Sequence, residues 1–230
     1  MVRTVHSSVP TAQGSAALQW FADRSDPTRL LSDRYEEPGW QALRPAIIEV
    51  FDLERTHHFL KAAPSFLDRV HERQVTTAMR NVLEHEPQDR LEKCQALMNA
   101  CGGDQDDPLV RVVGIEADDP QRRLDLAVHG ITRSGRSRCL LIEAKFKASL
   151  QPRQLERYQA LVTKDYPAAD QRILRVVGSE PPAGFQERTG RLREWRFLHW
   201  STLLQRWQRA LPDRESKLML ELMAQIWRQK

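Results

Sequence analysis

The middle of the chain reads RRLDLAVHG (residues 122–130), ITRSGRSR (131–138) and CLLIEAKF (139–146), followed by QPRQLERYQALV (151–162). Charged residues interrupt two of its apolar runs. Asp125 lies in the first run, and Glu143 and Lys145 lie two residues apart in the second. A charged group is costly to bury unless a partner compensates it. These three residues therefore need a chemical reason for their positions.

The two apolar runs predict a pair of antiparallel strands. Residues 138–146 have the short apolar core of a strand that is buried on much of both faces. Residues 124–131 are the natural hairpin partner, joined through the turn-forming pair Ser134-Gly135. Side chains alternate across a strand, so Glu143 and Lys145 share one face. If the two strands pair, Asp125 stands beside Glu143.

Two neighbouring carboxylates and a lysine suggest a particular chemistry. The carboxylates of Asp125 and Glu143 would repel each other, and a hard cation such as Mg²⁺ relieves that repulsion. Lys145 would bring a compact positive charge near an attacking water and a scissile phosphate. The trio predicts metal-assisted hydrolysis of a phosphodiester bond. The alternative is a surface hairpin in which the E-x-K pair is incidental.

At these residues the chain resembles the PD-(D/E)xK nuclease superfamily. Leu124-Asp125 matches the first half-motif, with leucine in place of proline, and Glu143-Ala144-Lys145 matches the second. The segment QLERY, from Gln154 to Tyr158, matches the Q-x-x-x-Y element of the exonuclease-like branch. The residue-level match is confined to residues 124–158, within a similar order of elements over residues 66–207.

The resemblance implies both a fold and an activity. The fold would be α/β (α+β), with a restriction-endonuclease-like mixed β-sheet flanked by helices. The activity would be that of a Mg²⁺-dependent deoxyribonuclease from a bacterial anti-phage defence, restriction or repair system. Asp125 and Glu143 would bind Mg²⁺ or Mn²⁺ together with the backbone carbonyl of Ala144, and Lys145 would orient the water. Gln154 and Tyr158, which share a helix face, would help to hold the nucleic acid.

The resemblance also implies a further acid from the helix that precedes the first strand. The candidates are Glu72, Glu84 and Glu86. Glu72 lies on the apolar stripe of this helix, three residues before Val75, whereas Glu84 points away and Glu86 precedes a proline. Glu72 is therefore the expected additional metal ligand. The alternative is that Glu72 lies at the exposed start of the helix and complements its dipole.

Basic residues surround the motif along the sequence and predict contacts with phosphates. They are Arg122, Arg123, Arg133, Arg136, Arg138, Lys147 and Arg153. As strand-end and turn residues they could line a groove for the nucleic-acid backbone. A solvated, charged hairpin explains them equally well.

The length and the order of elements predict the domain organisation. The chain has 230 residues, enough for one sizeable core or for one domain with an extension. Residues 1–64 are expected to form an N-terminal arm and α-helical extension. Residues 65–230 are expected to form the nuclease-like domain. Within it the pattern of helices, β-β-β-α-β-β and helices predicts a mixed sheet with helices on its faces.

Composition restricts the compartment and the partners. The chain has no stretch approaching the roughly 20 apolar residues of a membrane span, and its start lacks the apolar core of a signal peptide. Its three cysteines form no C-x-x-C pair, which favours a reducing, cytoplasmic environment. A formal charge of +4 is compatible with DNA as the partner. The wide apolar face of the last helix predicts burial in the core or against a partner subunit. A homodimer or other defence-system subunits are the protein partners that agree with the resemblance.

Two other functions remain open at this stage. The chain could be a catalytically silent nuclease-fold module that binds nucleic acid or scaffolds a complex. It could also be a helical interaction protein whose strand-like runs are incidental, which would require that it contain no appreciable sheet.

Overall fold

A computed structural model of the protein describes residues 16–19, 38–53, 70–117, 125–145, 149–166, 169–186, 192 and 194–228. Its strands are β1 (Leu109–Ala117), β2 (Leu126–Thr132), β3 (Ser137–Ala144), β4 (Ala169–Gly178) and β5 (Trp195–His199). They form one sheet in the order β1-β2-β3-β4-β5. The β1–β2 and β2–β3 pairs are antiparallel, and the β3–β4 and β4–β5 pairs are parallel. The predicted mixed sheet is confirmed, and a purely helical interaction protein is excluded.

Helices precede, interrupt and follow the sheet. They are α1 (Pro38–Val50), α2 (Glu72–Glu84), α3 (Arg90–Ala100), α4 (Gln154–Asp165), α5 (Trp200–Ala210) and α6 (Arg214–Arg228). Residues 16–19 are also helical, and a 3-10 turn, Pro87–Asp89, precedes α3. No described helix is long and apolar enough to cross a membrane.

The chain divides into two compact units. One comprises Met1–Arg90 and Leu211–Lys230, and the other comprises Leu91–Ala210. In the first unit α2 packs against α1 and α6, and Asn81 Nδ2 donates a 2.9 Å hydrogen bond to the carbonyl of Val50. The second unit contains the whole sheet with α4 and α5. The predicted boundary between residues 64 and 65 lies outside the described residues and stays a prediction.

Strand β3 forms the centre of the sheet, and all its residues are buried. One face of the sheet packs against α4 through an apolar cluster that includes Cys139, Leu141, Leu155, Val162, Leu174, Val176 and Trp195. Burial raises the pKa of the Cys139 thiol to about 12. This run of apolar residues explains why Glu143 is carried into the interior: it belongs to the most buried strand.

The β2–β3 turn forms where Ser134-Gly135 predicted it. Gly135 has a φ of +82°, which favours glycine, and its N–H donates to the carbonyl of Thr132 at 2.9 Å. Asp107 holds the turn by accepting hydrogen bonds from the backbone and side chain of Ser134 and from Arg136. Burial opposes ionisation of Asp107, but these hydrogen bonds prevail and lower its pKa well below the usual value.

The close approach of β1 to β2 at Gly130 allows a test of the β1–β2 packing. A Cβ at Gly130 would lie 2.8 Å from the carbonyl oxygen of Arg111 and 2.8 Å from a methyl carbon of Leu109. We expect Gly130→Ala to lower the free energy of unfolding by about 1–3 kcal/mol because backbone and packed side chain must move. Gly114→Ala is the matched control, since its Cβ would meet nothing within 4 Å. Chemical denaturation that finds equal losses in the two variants would contradict this packing.

Candidate active site

Pairing of β2 and β3 brings Asp125 to Glu143. Leu126 pairs with Ile142, so Asp125, one residue earlier, comes beside Glu143, one residue later. The N–H of Ala144 donates a 2.8 Å hydrogen bond to Asp125 Oδ2. This bond attaches the carboxylate to the end of β3. The juxtaposition expected from the hairpin is therefore present in the structure.

The environment of Asp125 disfavours ionisation of its carboxyl group. Burial is the largest cause that raises its pKa well above the ordinary carboxyl value, and the negative charge of Glu143 adds to it. The N–H of Ala144 and the positive charge of Lys145 act in the opposite direction without cancelling the effect. Two carboxylates held this close favour a proton or a cation between them.

Lys145 extends from the same face as Glu143. Its Nζ lies 2.6 Å from Glu143 Oε1, and both side chains are largely buried. The backbone N–H of Lys145 donates to the carbonyl of Val177 at 2.8 Å, which continues the β3–β4 pairing past the end of β3. Backbone pairing and strand alternation thus fix the lysine beside the carboxylates.

The start of α4 supplies an amide that fixes the orientation of Glu143. Gln154 Nε2 donates to Glu143 Oε1 at 2.6 Å and to Tyr158 Oη at 3.0 Å. Gln154 Oε1 accepts a 3.0 Å hydrogen bond from the backbone N–H of Gln151. Both ends of the amide are therefore engaged, and Glu143 receives a directed hydrogen bond from a buried donor.

The sequence predicted that Gln154 and Tyr158 contact nucleic acid, but their side chains are only 5% and 3% exposed. They lie behind Glu143 and not on an open surface. The physical reason is the packing of α4 on the sheet: Gln154 donates to Glu143, and Leu155 and Tyr158 belong to the apolar cluster between them. Burial raises the pKa of Tyr158, and the charge of Glu143 adds to that rise.

A family model for the PD-(D/E)XK nuclease superfamily matches residues 83–220, more than half of the chain. The chain belongs to this superfamily. Comparisons with curated proteins and with solved structures returned no match. Membership agrees with the mixed sheet and its helices, which form a restriction-endonuclease-like fold. It indicates a nuclease hydrolase whose substrate is a nucleic acid.

Nucleases of the PD-(D/E)XK superfamily generally use divalent metal ions. Within the part of the chain that the structure describes, no group of three or more His, Cys, Asp and Glu side chains could hold a metal ion. The carboxylates of Asp125 and Glu143 nevertheless suit a hard cation, because their proximity and burial leave negative charge poorly compensated.

Glu72 lies in the first turn of α2, in the other compact unit. Its role as a ligand stays a prediction.

The basic residues of the β2–β3 turn do not surround the carboxylates. Arg133 and Arg136 adjoin Ser137, where β3 begins, whereas the carboxylates lie near Ala144, where it ends. Seven residue steps (137 to 144) span about 23 Å along a strand. These arginines and the superfamily motif therefore belong to opposite ends of the hairpin.

Arg136 and Arg138 are also engaged in structural contacts. Arg136 Nη2 forms an ion pair with Asp107 at 2.9 Å. Arg138 is fully buried and donates to Gln171 Oε1 at 2.5 Å and to the carbonyl of Asp104 at 3.1 Å. This burial corrects the expectation that Arg138 contacts phosphate. Arg138 is enclosed because it lies in β3, all of whose residues are buried. Arg122, Arg123 and Lys147 lie outside the described residues.

Two exposed arginines do lie near the site. Arg153 immediately precedes Gln154, and the Arg157 guanidinium carbon lies 5.5 Å from the ring centroid of Tyr158. Arg153 is among the basic residues expected from the sequence to contact phosphate, and Arg157 is an addition from the structure. Its position between Gln154 and Tyr158 in the Q-x-x-x-Y element was the available signal.

The raised pKa of Asp125 predicts a pH-dependent cost in metal-free protein. The folded state retains the Asp125 proton to higher pH than the unfolded chain, so the free energy of unfolding falls as pH rises above the ordinary carboxyl range. Asp125→Asn removes this cost. Its melting temperature in EDTA, relative to the unsubstituted protein, should therefore increase between about pH 4 and about pH 8.

Asp106→Asn is the control, because Asp106 is exposed. A melting temperature difference for Asp125→Asn that stays constant with pH, or that Asp106→Asn reproduces, would contradict the buried carboxylate pair.

Proposed function

We propose that the protein is a metal-dependent nuclease that hydrolyses phosphodiester bonds of DNA. The observation that supports this most is the cluster of Asp125, Glu143 and Lys145, with Lys145 Nζ 2.6 Å from Glu143 Oε1. Superfamily membership supports hydrolysis of a nucleic acid. The positive net charge of the chain favours a polyanionic substrate.

Asp125 and Glu143 would hold Mg²⁺ or Mn²⁺, with the backbone carbonyl of Ala144 as a further oxygen donor. Oxygen-only donors of this kind are what these hard cations prefer. When bound, the cation would lower the pKa of a water and neutralise negative charge on the phosphate. The hydrogen bond from the Ala144 N–H leaves one oxygen of Asp125 in a defined direction.

Lys145 would stabilise charge that develops on the phosphate during hydrolysis. A fixed positive charge in a partly buried site acts more strongly than one in water. The ion pair with Glu143 and the backbone bond to Val177 hold the lysine in place before substrate arrives. Preorganisation of this kind removes the cost of orienting the charge during the reaction.

Gln154 and Tyr158 would position Glu143 and would not bind DNA themselves. A carboxylate that accepts a directed hydrogen bond at one oxygen presents its other oxygen in a limited range of orientations. Arg153 and Arg157, both exposed, are the proposed phosphate contacts next to the site. A role in anti-phage defence, restriction or repair belongs to this proposal and derives from the resemblance of the motif alone.

The catalytic assignment predicts that Asp125→Asn and Glu143→Gln each abolish DNA cleavage. The unsubstituted protein should cleave DNA in Mg²⁺ and not in EDTA, tested on linear, circular and single-stranded DNA, with RNA as the comparison. Lys145→Ala should reduce turnover but retain Mn²⁺ binding in calorimetry, because lysine is not a ligand. Full activity of either carboxylate variant, or loss of Mn²⁺ affinity in Lys145→Ala, would refute the assigned roles.

The positioning role predicts that Gln154→Leu lowers cleavage about tenfold or more at limiting Mg²⁺, since Glu143 loses a buried donor worth about 1.5–3 kcal/mol. The defect should shrink as Mg²⁺ is raised, because the ligand is misaligned but present. Gln159→Leu, on the same helix, is the matched control: Gln159 donates to Glu194. If the two variants behave alike in a Mg²⁺ titration, Gln154 has only a general role in the helix.

A further inference from the structure

A second polar region lies where β4 begins, beside the start of β5. A cavity of about 400 Å³ is lined by Ala169, Asp170, Arg172, Arg175, Glu194 and Arg196. Strand β5 begins opposite Leu174, so residues 169–173 of β4 extend beyond its start. The cavity lies beside this extension. Its volume is within the range of about 300–1,000 Å³ typical of small-molecule sites.

The lining carries three arginines and two carboxylates, so its formal charge is positive. Arg175 and Arg196 are directly paired on adjacent strands, an arrangement that is unfavourable for like charges. Burial lowers the pKa of Arg175, and the positive charge of Arg196 contributes to the same shift. Arg172 adds a third guanidinium to the wall of the cavity.

The carboxylates of Asp170 and Glu194 offset part of this positive charge, and their hydrogen bonds come from other groups. Asp170 Oδ2 accepts from the backbone N–H of Ser137 at 2.9 Å, and Glu194 accepts from Gln159 at 3.4 Å. Arg175 donates to the backbone carbonyls of Cys101 and Leu174. Arg172 Nε is buried and has no hydrogen-bond partner among the described residues. A buried donor without a partner is unfavourable unless a water, an ion or a ligand accepts from it.

We infer that this cavity binds a phosphate group, either of a free nucleotide or of a nucleic-acid backbone. Planar guanidinium groups bind phosphate through paired hydrogen bonds, and a bound anion would relieve the repulsion between the paired residues Arg175 and Arg196. The site is distinct from the carboxylates. Val176 pairs with Glu143, and Arg172 lies four residues before Val176, which corresponds to about 13 Å along the strand. It does not depend on the proposed nuclease activity.

Calorimetric titrations in EDTA test the site in the full-length protein. EDTA removes any cation that could attract phosphate to Asp125 and Glu143. The probes are inorganic phosphate, dAMP and a short single-stranded oligonucleotide at constant ionic strength. Arg172→Gln and Arg196→Gln should each weaken phosphate binding about tenfold, the effect of one charge-assisted contact. Arg209→Gln, an exposed arginine on α5, and Asp125→Asn should bind like the unsubstituted protein.

The three probes distinguish the source of the phosphate. Equal affinities for inorganic phosphate and dAMP would identify a free phosphate or nucleotide site. An oligonucleotide that binds much more tightly, with a salt dependence that Arg172→Gln reduces, would identify a backbone contact. Absence of binding by all three probes, equal loss in Arg209→Gln, or loss in Asp125→Asn would each overturn the inference. If Arg172→Gln does not fold, Arg172→Lys takes its place, because lysine retains the positive charge. Arg172→Lys should lose less affinity for phosphate than Arg196→Gln.

Discussion

Two buried carboxylates held side by side, Asp125 and Glu143, impose the main electrostatic constraint on the sheet. The β2–β3 register brings Asp125 to Glu143, and the Ala144 N–H keeps it there with a 2.8 Å hydrogen bond. Such a pair is unfavourable in isolation, because burial and repulsion both oppose ionisation. The folded protein tolerates it through a small number of donors, namely one backbone N–H, Lys145 and Gln154.

The fold supplies these donors from different parts of the chain. Strand β3 carries Glu143 and, one residue beyond its end, Lys145, and it is the most thoroughly buried strand of the sheet. Helix α4 begins with Gln154, whose amide donates to Glu143, and the preceding Arg153 has a positive φ. Because pairing with β2 and β4 fixes β3 on both sides, the carboxylate end of the sheet is preorganised. A rigid frame of this kind is what metal binding and phosphate hydrolysis require.

The two ends of the β2–β3 hairpin have different roles. At the carboxylate end, Asp125, Glu143 and Lys145 lie together in a largely buried cluster. At the turn end, Asp107 binds Ser134 and Arg136, and Arg138 is buried against Gln171 and the backbone of Asp104. Arg136 and Arg138 at the turn end are therefore engaged within the protein, although Arg138 Nη2 has no hydrogen-bond partner among the described residues. The two carboxylates at the other end favour a cation.

Local patterns in the sequence were sufficient to predict the strands, the hairpin turn and the cluster of Asp125, Glu143 and Lys145. These features depend on short-range rules: alternation along a strand, glycine in a turn, and the register of one hairpin. The burial of Gln154, Tyr158 and Arg138 depends on contacts between residues that are distant in sequence, such as Gln154 with Glu143 or Arg138 with Gln171. No local pattern distinguishes an exposed arginine in a turn from one enclosed by a neighbouring strand. The tertiary structure alone decided which polar side chains support the carboxylates and which arginines remain available to phosphate, because burial and charge compensation are set by the packing of the whole sheet.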